Sequence, residues 1–417
     1  MAVYPNIYPE HLGRVMPDIL GFCSLTTGEC DNAVRGAVEA VYVDTSGAPY
    51  SYLAARGSLH SIIEVFSDGI LMATPGDYSV AYRDGGITYI DFVIDQEDKK
   101  ITFNTRGYMF APWNSANGYV QNPAYIILFY LAFVVGVPEE DINVPSFVTL
   151  AAIYDALGVG TSGKLIIQDA KESLAVLQEL LFSYGAKLWN ANDGRLKIGI
   201  KDISGFATDT VIFSQIDLLE AAERKYNLAT AINSIKAQYD FIPPANLYKG
   251  AMEDELASSI SDYDTKLESQ TPYSLPWTDS EDLVAQILLN DLLKMGHGDK
   301  TISFSVTIKW IDDLDIYDNF RFQDPFGLSW LKAGEKGRYY YIISLDADYQ
   351  NQIINIVAVD LQWLLRQYAI LGDEDELSDL WVNAGEDERI YYYLADEIIG
   401  EFSDGEPCKI LIDENII

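Results

Sequence analysis

The sequence is poor in the side chains that most often bind metals or act as nucleophiles. Its 417 residues include only three cysteines and three histidines. Six residues separate Cys23 from Cys30, which is not a metal-ligand spacing, and an odd cysteine total argues against a disulfide framework. We therefore expect free thiols, typical of a protein made in a reducing cytoplasm. The third cysteine is Cys408. The histidines are His11, His60 and His297, and none has a His or Cys at the spacing of a metal-ligand pair, so a transition-metal site is not expected.

Catalytic motifs are missing as well. A serine hydrolase would need a Gly-x-Ser-x-Gly elbow, which the sequence does not contain. A phosphate-binding loop would need Gly-Lys-Ser/Thr, and Gly163-Lys164-Leu165 does not supply it. Paired carboxylates for glycan hydrolysis would have to face each other in space, which one sequence cannot reveal.

The acidic clusters have simple interpretations as surface loops. Asp346-Ala347-Asp348 fits a hairpin turn, and residues 373–379 lack the glycine and final glutamate of a calcium loop, so they form at most a weak cation site. A third cluster lies near a predicted strand end and fits a solvated loop. Its alternative role is general acid–base chemistry, for which one of its carboxyl groups would need a raised pKa. That cluster consists of Asp312, Asp313, Asp315 and Asp318. We predict no catalytic residues, no cofactor and no metal site.

No signal peptide or membrane span is predicted. The first residues have no basic stretch followed by an apolar run. Residues 124–137 are almost wholly apolar, but a membrane helix needs about 20 such residues. Pro123 before this run and Pro138 after it favour a buried helix that begins at Pro123. We therefore expect no membrane insertion.

The composition is acidic and rich in tyrosine. There are 63 acidic and 28 basic residues, which gives a net charge of −35, and there are 28 tyrosines. Such a chain does not neutralise phosphates, so it does not bind nucleic acid through a basic footprint, and it repels anionic membranes. The charge either serves solubility alone or forms a surface that nucleic acid passes without sticking. Apolar residues make up 49%, which is ample for buried cores.

The first part of the chain, residues 1–118, reads as a β-rich domain. Short strands are predicted at 61–66, 70–72, 78–82, 87–94 and 101–105. Turns are predicted between them, at Ser67-Asp68-Gly69, Thr74-Pro75-Gly76-Asp77, Asp84-Gly85-Gly86 and residues 96–100. Regular spacing of short strands suggests a barrel or a sandwich.

Residues 119–200 read as a mixed α/β domain. A second helix is predicted at 146–157. A third begins at the capping residue Asp169, with Glu172 three residues later, and Gly185 ends it. Its predicted buried face is Leu174, Leu177, Leu181 and Tyr184. A hairpin follows, with strands at 186–189 and 195–200.

Residues 201–365 read as a second barrel-like β domain with an inserted helix. We predict strands at 232–239 and 301–310, a loop at 243–277 and a hairpin of 338–345 with 353–360. The helix is predicted at 279–295, with Thr278 and Glu281 as a capping box. Residues 366–417 alternate acidic and aromatic runs, as a docking arm or a small extension. The predicted fold class is therefore α+β, predominantly β.

The order of these segments resembles the hub proteins of phage tail tips and baseplates, including those of prophages and gene transfer agents. The likeness covers residues 60–365. In the first half it rests on Val65-Phe66-Ser67-Asp68-Gly69 with Gly76-Asp77-Tyr78, on Asn122-Pro123-Ala124, and on helix 170–184 running into Gly185-Ala186-Lys187-Leu188 and Asp193-Gly194-Arg195-Leu196. In the second half it rests on Tyr226-Asn227, Asn233-Ser234-Ile235-Lys236, helix 279–295, strand 301–310 and Phe320-Arg321-Phe322-Gln323-Asp324-Pro325-Phe326-Gly327 before the closing hairpin.

The sequence departs from this family in two places. Many relatives have Gly-Asp where this chain has Tyr317-Asp318-Asn319, and residues 366–417 match nothing in the family pattern. The role of this C-terminal extension is therefore left open.

The resemblance implies a structural, non-enzymatic virion protein. Such hubs are homotrimers in which each subunit contributes two barrel-like domains, so that three chains form a pseudo-sixfold ring. The implied partners are the tail tube or distal tail protein, the tape-measure protein and a tip fibre or spike protein. DNA would pass through the lumen without specific binding, along an acidic wall. The implied localisation is the phage tail tip, with synthesis in the host cytoplasm.

Two other functions stay open. A receptor- or glycan-binding tail protein would present its tyrosines and tryptophans as exposed stacking platforms, although aromatic residues more often pack within a core. A cell-wall-degrading tail enzyme would have a concave pocket with convergent carboxylates or a metal. We find no motif for the enzyme.

Overall fold

The computed structural model describes residues 17–23, 25, 35–43, 49–83, 85–96, 99–110, 113, 118–167, 171–191, 193–200, 211–220, 222–227, 230–296, 298–311, 313–316, 318–323, 338–360 and three strands after residue 368. The chain forms two compact units. Unit 1 comprises Met1–Lys201, Ile235–Asp254 and Gln270–Leu288, and unit 2 comprises Asp202–Ser234, Glu255–Ser269 and Leu289–Ile417. The predicted division at residues 118, 200 and 365 stays a prediction.

Unit 1 begins with short antiparallel strands that form two sheets. The strands are β1 (Asp18–Cys23), β2 (Val38–Glu39), β3 (Val41–Val43), β4 (Tyr50–Ala55), β5 (Leu59–Ser67), β6 (Ile70–Leu71), β7 (Tyr78–Arg83), β8 (Ile87–Phe92), β9 (Ile101–Tyr108) and β10 (Lys164–Ile167). One sheet has the order β10-β1-β9-β5-β6, with β2 also paired to β9, and the other has the order β3-β4-β8-β7. The predicted α+β class with a predominance of strands is confirmed.

The turns of this region follow the predicted chemistry. Asp68 and Gly69 both have positive φ, at 48° and 76°, and join β5 to β6 as a tight hairpin. The strand predicted at 87–94 ends at Phe92, because Val93 and Ile94 leave the sheet and become exposed. β8 and β9 lie in different sheets, so the charged segment between them is a crossing rather than a hairpin turn.

A cluster of helices packs against these strands. Helix α1 (Pro123–Phe129) begins at Pro123 as predicted, with Asn122 Oδ1 accepting a hydrogen bond from Ala124 N at 3.0 Å. It continues as a π-helical segment, Tyr130–Val135, and Gly136 ends it at φ 83°. The end of this run is not buried, because Phe133 and Val135 are exposed. Helix α2 (Val144–Ala156) confirms the second predicted helix, capped by Asn143.

The third helix, α3 (Ser173–Ser183), ends as predicted before Gly185, which has φ 65°. Its predicted buried face is partly wrong. The buried stripe contains Val176 and Leu180, whereas Leu174 is 63% exposed because it lies in the first turn on the opposite side. The predicted starting residue Asp169 lies outside the described residues. The hairpin of β11 (Ala186–Asn190) and β12 (Leu196–Ile200) is confirmed.

The segment predicted as a loop at 243–277 is largely regular structure, so this prediction was wrong. Strand β15 (Ser234–Ile242) lies between β16 (Leu247–Glu255) and β17 (Tyr273–Leu275) in a three-stranded sheet, and helix α4 spans Ala257–Tyr263. The four prolines of this segment occupy turns and strand ends. Strand β16 escaped notice because its side chains are only half buried and alternate weakly.

Helix α5 (Glu281–Met295) confirms the predicted helix but not its cap. Ser280 Oγ accepts the hydrogen bond from Leu283 N at 3.2 Å, so Ser280 is the capping side chain. Thr278 is buried, and its Oγ1 accepts from Ser280 N at 3.2 Å. The cap therefore lies two residues later in the chain than predicted.

Unit 2 is built on a six-stranded sheet. Its strands are β13 (Val211–Ser214), β14 (Glu223–Asn227), β18 (Asp299–Thr307), β19 (Asn319–Gln323), β20 (Arg338–Asp348) and β21 (Ile353–Asp360), in the order β13-β19-β20-β21-β18-β14. The predicted hairpin of β20 and β21 is confirmed. The strand predicted at 301–310 ends at Thr307, and a 3₁₀ turn follows. Three further strands, Ala369–Asp373, Tyr393–Ala395 and Cys408–Ile412, pair in a separate small sheet.

Candidate functional site

Among the residues that the structure describes, buried charges are concentrated in unit 1 around Lys164. This lysine is the first residue of β10, and its side chain is only 2% exposed. The backbone there is fixed on both sides: Gly163 N donates to Gln121 O and Lys164 N donates to Trp277 O, each at 3.0 Å. A Cβ on Gly163 would lie 2.7 Å from Gln121 O, so this close approach requires glycine.

Two carboxylates and a second lysine complete the cluster. Lys164 Nζ forms an ion pair with Asp240 and donates to Phe241 O at 3.2 Å. The other oxygen of Asp240 lies 3.6 Å from Lys249 Nζ. Asp240 has φ 60°, a conformation that Asp tolerates better than most residues. Each oxygen of this buried carboxylate therefore faces a lysine, which is the arrangement that a buried charge needs.

The second acid of the cluster is Asp279, just before α5. Burial of its carboxyl group and the neighbouring charge of Asp240 together raise the pKa of Asp279 to about 6, against the attraction of Lys164 and Lys249. As a residue, Asp279 is exposed to solvent, unlike Lys164 and Asp240, which are buried. A carboxyl group with such a pKa titrates near neutrality, so the cluster changes charge within the physiological range.

The groups nearest the cluster are not activated nucleophiles. Burial raises the pKa of the Cys23 thiol to about 12, so it stays protonated and unreactive at neutral pH. Burial also raises the pKa values of Tyr154 and Tyr184. Tyr184 donates to Lys164 O at 2.7 Å and Tyr154 donates to Tyr184 O at 2.8 Å. The Tyr184 hydroxyl therefore fixes the backbone of β10, and the Tyr154 hydroxyl fixes the backbone at the end of α3.

The arrangement is therefore suited to holding distant chain segments together. The four charged residues of the cluster come from separate segments of unit 1. They are Lys164 in β10, Asp240 in β15, Lys249 in β16 and Asp279 in the segment before α5. Removing Asp240 would leave the buried ammonium group of Lys164 without its carboxylate partner, and removing Lys164 would leave Asp240 with Lys249 alone. Sequence reasoning considered Lys164 only as part of a failed phosphate loop. The residues around Lys164 in the sequence do not indicate its partner Asp240, which lies 76 residues away in the chain.

Among the acidic clusters noted in the sequence, the described residues of the cluster at 312–318 form a turn. Asp315 N donates to Asp318 Oδ2 at 2.8 Å, and Asp318 N donates to Asp315 O at 3.2 Å, while Asp313 is exposed and Asp312 lies outside the described residues. Asp346 and Asp348 lie in β20 rather than in the turn itself. Asp348 closes that turn by accepting from the backbone of Asn351 and Gln350, which lowers its pKa.

The remaining sequence candidates form no metal site in the part of the chain that the structure describes. His60 packs against Tyr119, with ring centroids 5.6 Å apart, and His11 and His297 lie outside the described residues. Among the described residues, no three His, Cys, Asp or Glu side chains are grouped to hold a metal ion. For residues 374–379 and for the Cys30 and Cys408 side chains, the structure gives no description.

None of the described helices has the length and apolar content that a membrane span requires.

Comparison with known proteins yields matches among solved structures alone. No protein-family model and no curated protein matches the chain. A chain in the virion of a native gene transfer agent particle matches with a TM-score of 0.55 and 14% identity, over 86% of this chain and 87% of that chain. The fold is therefore shared with that virion chain, which confirms the predicted resemblance at the level of the fold.

Two looser matches carry no argument of their own. The tail protein from Neisseria meningitidis MC58 matches with a TM-score of 0.33 and 11% identity, over 82% of this chain and 96% of that chain. The 43 kDa tail protein of prophage MuSo2 from Shewanella oneidensis matches with a TM-score of 0.37 and 10% identity, over 79% and 96%.

Proposed function

We propose that this chain, which shares its fold with a gene transfer agent virion protein, is a structural subunit of a phage-type tail and resides in the virion. One observation carries the proposal: the backbone follows that virion chain over 86% of its own length, across both units. The fold alone does not assign a function. The acidic composition and the tail-hub layout of the sequence motifs add support.

Within the tail, the chain acts as a hub at the tip. Three copies close into a ring that joins the tail tube, or a distal tail protein, to a tip fibre or spike, and the tape-measure protein ends at this ring. In a closed ring, one surface of each copy binds a second surface of the next copy. The threefold symmetry therefore follows from one contact that is repeated three times. The role is assembly rather than catalysis, and the buried Lys164 cluster serves to keep unit 1 rigid for it.

The acidic charge suits a ring with a bore for DNA. A duplex binds where lysines and arginines neutralise its phosphates and release counterions. A chain with 63 acidic and 28 basic residues offers few such contacts, so DNA slides through without being retained. The orientation of the subunit in the ring determines which acidic residues line the bore.

Imaging the protein alone and in particles tests this function. The purified full chain is examined by light scattering coupled to size exclusion, and particles carrying a tagged copy are imaged by cryo-electron microscopy. We expect three copies of the 46.6 kDa chain per assembly and a threefold ring at the tail tip. Absence of the tagged chain from purified particles, together with a monomer at high concentration, would contradict the proposal.

A second candidate function is glycan binding, favoured by an aromatic cluster at the end of α1. Phe110 lies 4.7 Å from Trp113 and 4.9 Å from Phe133 between ring centroids, and Phe133 is 48% exposed. Aromatic faces of this kind can stack on sugars. A glycan array tests it, with Trp113→Ala as the loss variant and Trp189→Ala as the control. No binding by the parent chain removes this function.

A further inference from the structure

Unit 1 exposes four large aliphatic side chains on two neighbouring segments. Ile70 and Leu71, in β6, are 71% and 56% exposed, and Val93 and Ile94, just after β8, are 64% and 71% exposed. We call these four residues the hairpin patch. Single exposed aliphatic residues are ordinary, but an exposed group of this kind marks a contact surface.

A buried glutamine ties the two segments together. Gln96 is 5% exposed, and its Oε1 accepts a hydrogen bond from Ser67 Oγ at 2.9 Å, while its Nε2 donates to Ile94 O at 3.3 Å. Ser67 pairs directly with Ile70 across the β5–β6 hairpin. The chain of bonds from Ile70 through Ser67 and Gln96 to Ile94 is short, so the two segments lie close together.

A second set of bonds holds the other side of the patch. Val93 N donates to Asp77 O at 3.2 Å. Asp77 N donates to Ala73 O at 2.8 Å, and Asp77 Oδ2 accepts from Ala73 N at 2.7 Å. Met72 N donates to Val65 O at 2.9 Å. The hairpin patch is thus fixed before any partner arrives, which lowers the entropy cost of binding.

Acidic side chains in fixed positions surround the hairpin patch. Asp68, Asp77 and Asp95 are exposed, and Asp68 Oδ1 is held by Lys100 N at 2.9 Å. Two lysines of the same segment, Lys99 and Lys100, are also exposed, and Lys100 is paired with Glu39 at 3.1 Å. Negative charge therefore dominates the rim, as it does the whole chain with its net charge of −35. Such a rim repels anionic membranes and disfavours a second acidic copy of the same chain.

We propose that the hairpin patch docks a different protein of the particle, whose contact face has an apolar centre ringed by lysine or arginine. The inference rests on the proposed tail function and deepens it by naming one contact surface. Exclusion of water by the four aliphatic residues supplies affinity, and the acidic rim supplies partner choice and a fast encounter. It also gives a role to the Val65–Gly69 and Gly76–Tyr78 motif, which builds the hairpin.

Photocrosslinking in particle-producing cells tests the contact. A benzoylphenylalanine replaces Ile70 or Val93 in the full chain, and a matched control replaces Leu174, which is 63% exposed on α3. We expect positions 70 and 93 to give one shared adduct with a different protein, at a peptide whose apolar residues are flanked by Lys or Arg. The Leu174 position should not give that adduct. Adducts with another copy of this chain, with lipid, or with nothing overturn the proposal.

Paired variants measure the two contributions. Ile70→Ser with Ile94→Ser should lower recovery of the crosslinked partner about tenfold or more, whereas the control Leu174→Ser with Val148→Ser should leave it unchanged. Asp68→Asn with Asp77→Asn keeps the backbone-accepting oxygens and should flatten the salt dependence of binding. Equal effects of both serine pairs would overturn the assignment, and thermal melting confirms that each variant folds.

The same cells separate this inference from the proposed function. Immunoblots of purified particles report whether the chain is in the virion, independently of any crosslink. A chain present in particles but without the shared adduct refutes the docking surface alone. An adduct with a basic-rimmed protein in cells whose particles lack the chain refutes the tail function and, with it, the assignment of the partner to the particle.

Discussion

The core of unit 2 is assembled around aromatic rings, whereas the core of unit 1 includes polar and charged side chains. In unit 2, the Phe213 ring lies 5.2–5.5 Å from the rings of Phe304, Trp310 and Phe320, each in an edge-to-face arrangement. Phe320 in turn stacks on Tyr340 at 5.4 Å. Such contacts combine a large apolar area with a preferred geometry.

In unit 1, several buried polar side chains have specific hydrogen-bond partners. Asn104 is fully buried, and its Oδ1 accepts from Leu25 N at 2.9 Å and Ala37 N at 3.1 Å, while its Nδ2 donates to Glu64 at 2.8 Å. The ion pair of Lys164 and Asp240 follows the same rule. Aromatic packing depends on shape, but satisfied polar networks fix one arrangement of the chain because every alternative leaves a buried group unpaired. The comparison predicts different responses to substitution in the two units.

The largest effect is expected from Phe213→Ala in unit 2. Removing the ring at the centre of the aromatic core leaves a cavity and should lower the free energy of unfolding by about 3–5 kcal/mol. Urea unfolding followed by tryptophan fluorescence measures it, because Trp310 lies against this ring. The neighbouring Ile212→Ala is the control, since Ile212 is 42% exposed. Similar losses in both variants would mean that the aromatic cluster does not dominate this core.

A somewhat smaller effect is expected from Lys164→Met in unit 1. The substitution leaves Asp240 buried with only Lys249 at 3.6 Å, so we expect a loss of about 3 kcal/mol in the free energy of unfolding. Adding Asp240→Asn should recover part of it, since the second charge is then removed and Asn tolerates the positive φ. The exposed pair of Lys171 and Glu179 gives the control, and Lys171→Met should cost below about 1 kcal/mol. A double variant no more stable than Lys164→Met would contradict a coupled pair.

The smallest effect is expected from Asp279→Asn, and it should depend on pH. The pKa of Asp279 is raised in the folded chain, so ionising this group disfavours folding. Its contribution to stability is present below about pH 4 and is lost as the pH rises through about 6. The variant should therefore gain stability relative to the parent between those values and hold a constant difference above them. Unfolding at a series of pH values measures this, and a difference independent of pH would refute the raised pKa.

The sequence predicted best where one face of an element is buried and the other is not. Ile302, Phe304 and Val306 alternate with polar residues in β18, and all three are buried. The hairpins of β11 with β12 and of β20 with β21 were predicted because their turns are rich in Asn, Asp and Gly. Local patterns of this kind carry their information within a few residues of the chain.

The rest depends on partners that are distant in the sequence. Strand β16 is half buried, so its side chains alternate too weakly to be noticed among nearby prolines and acids. Leu174 looked like a core residue by spacing, but the rotation of α3 against its neighbours buries Val176 and Leu180 instead. The pairing of Lys164 with Asp240 crosses 76 residues and has no local signature. Long-range contacts of this type determine which residues form the charged cluster, and they cannot be read from a single sequence.

The alternation of the chain between the two units has a practical consequence. The polypeptide passes from one unit to the other after residues 201, 234, 254, 269 and 288. No single cut therefore liberates either unit intact. A truncated product that stops at Lys201 would lack Asp240, so the ammonium group of Lys164 would lose its carboxylate partner. Expression, labelling and proteolytic mapping of this molecule thus require the full-length polypeptide, and separate cloning of its halves would yield incomplete pieces.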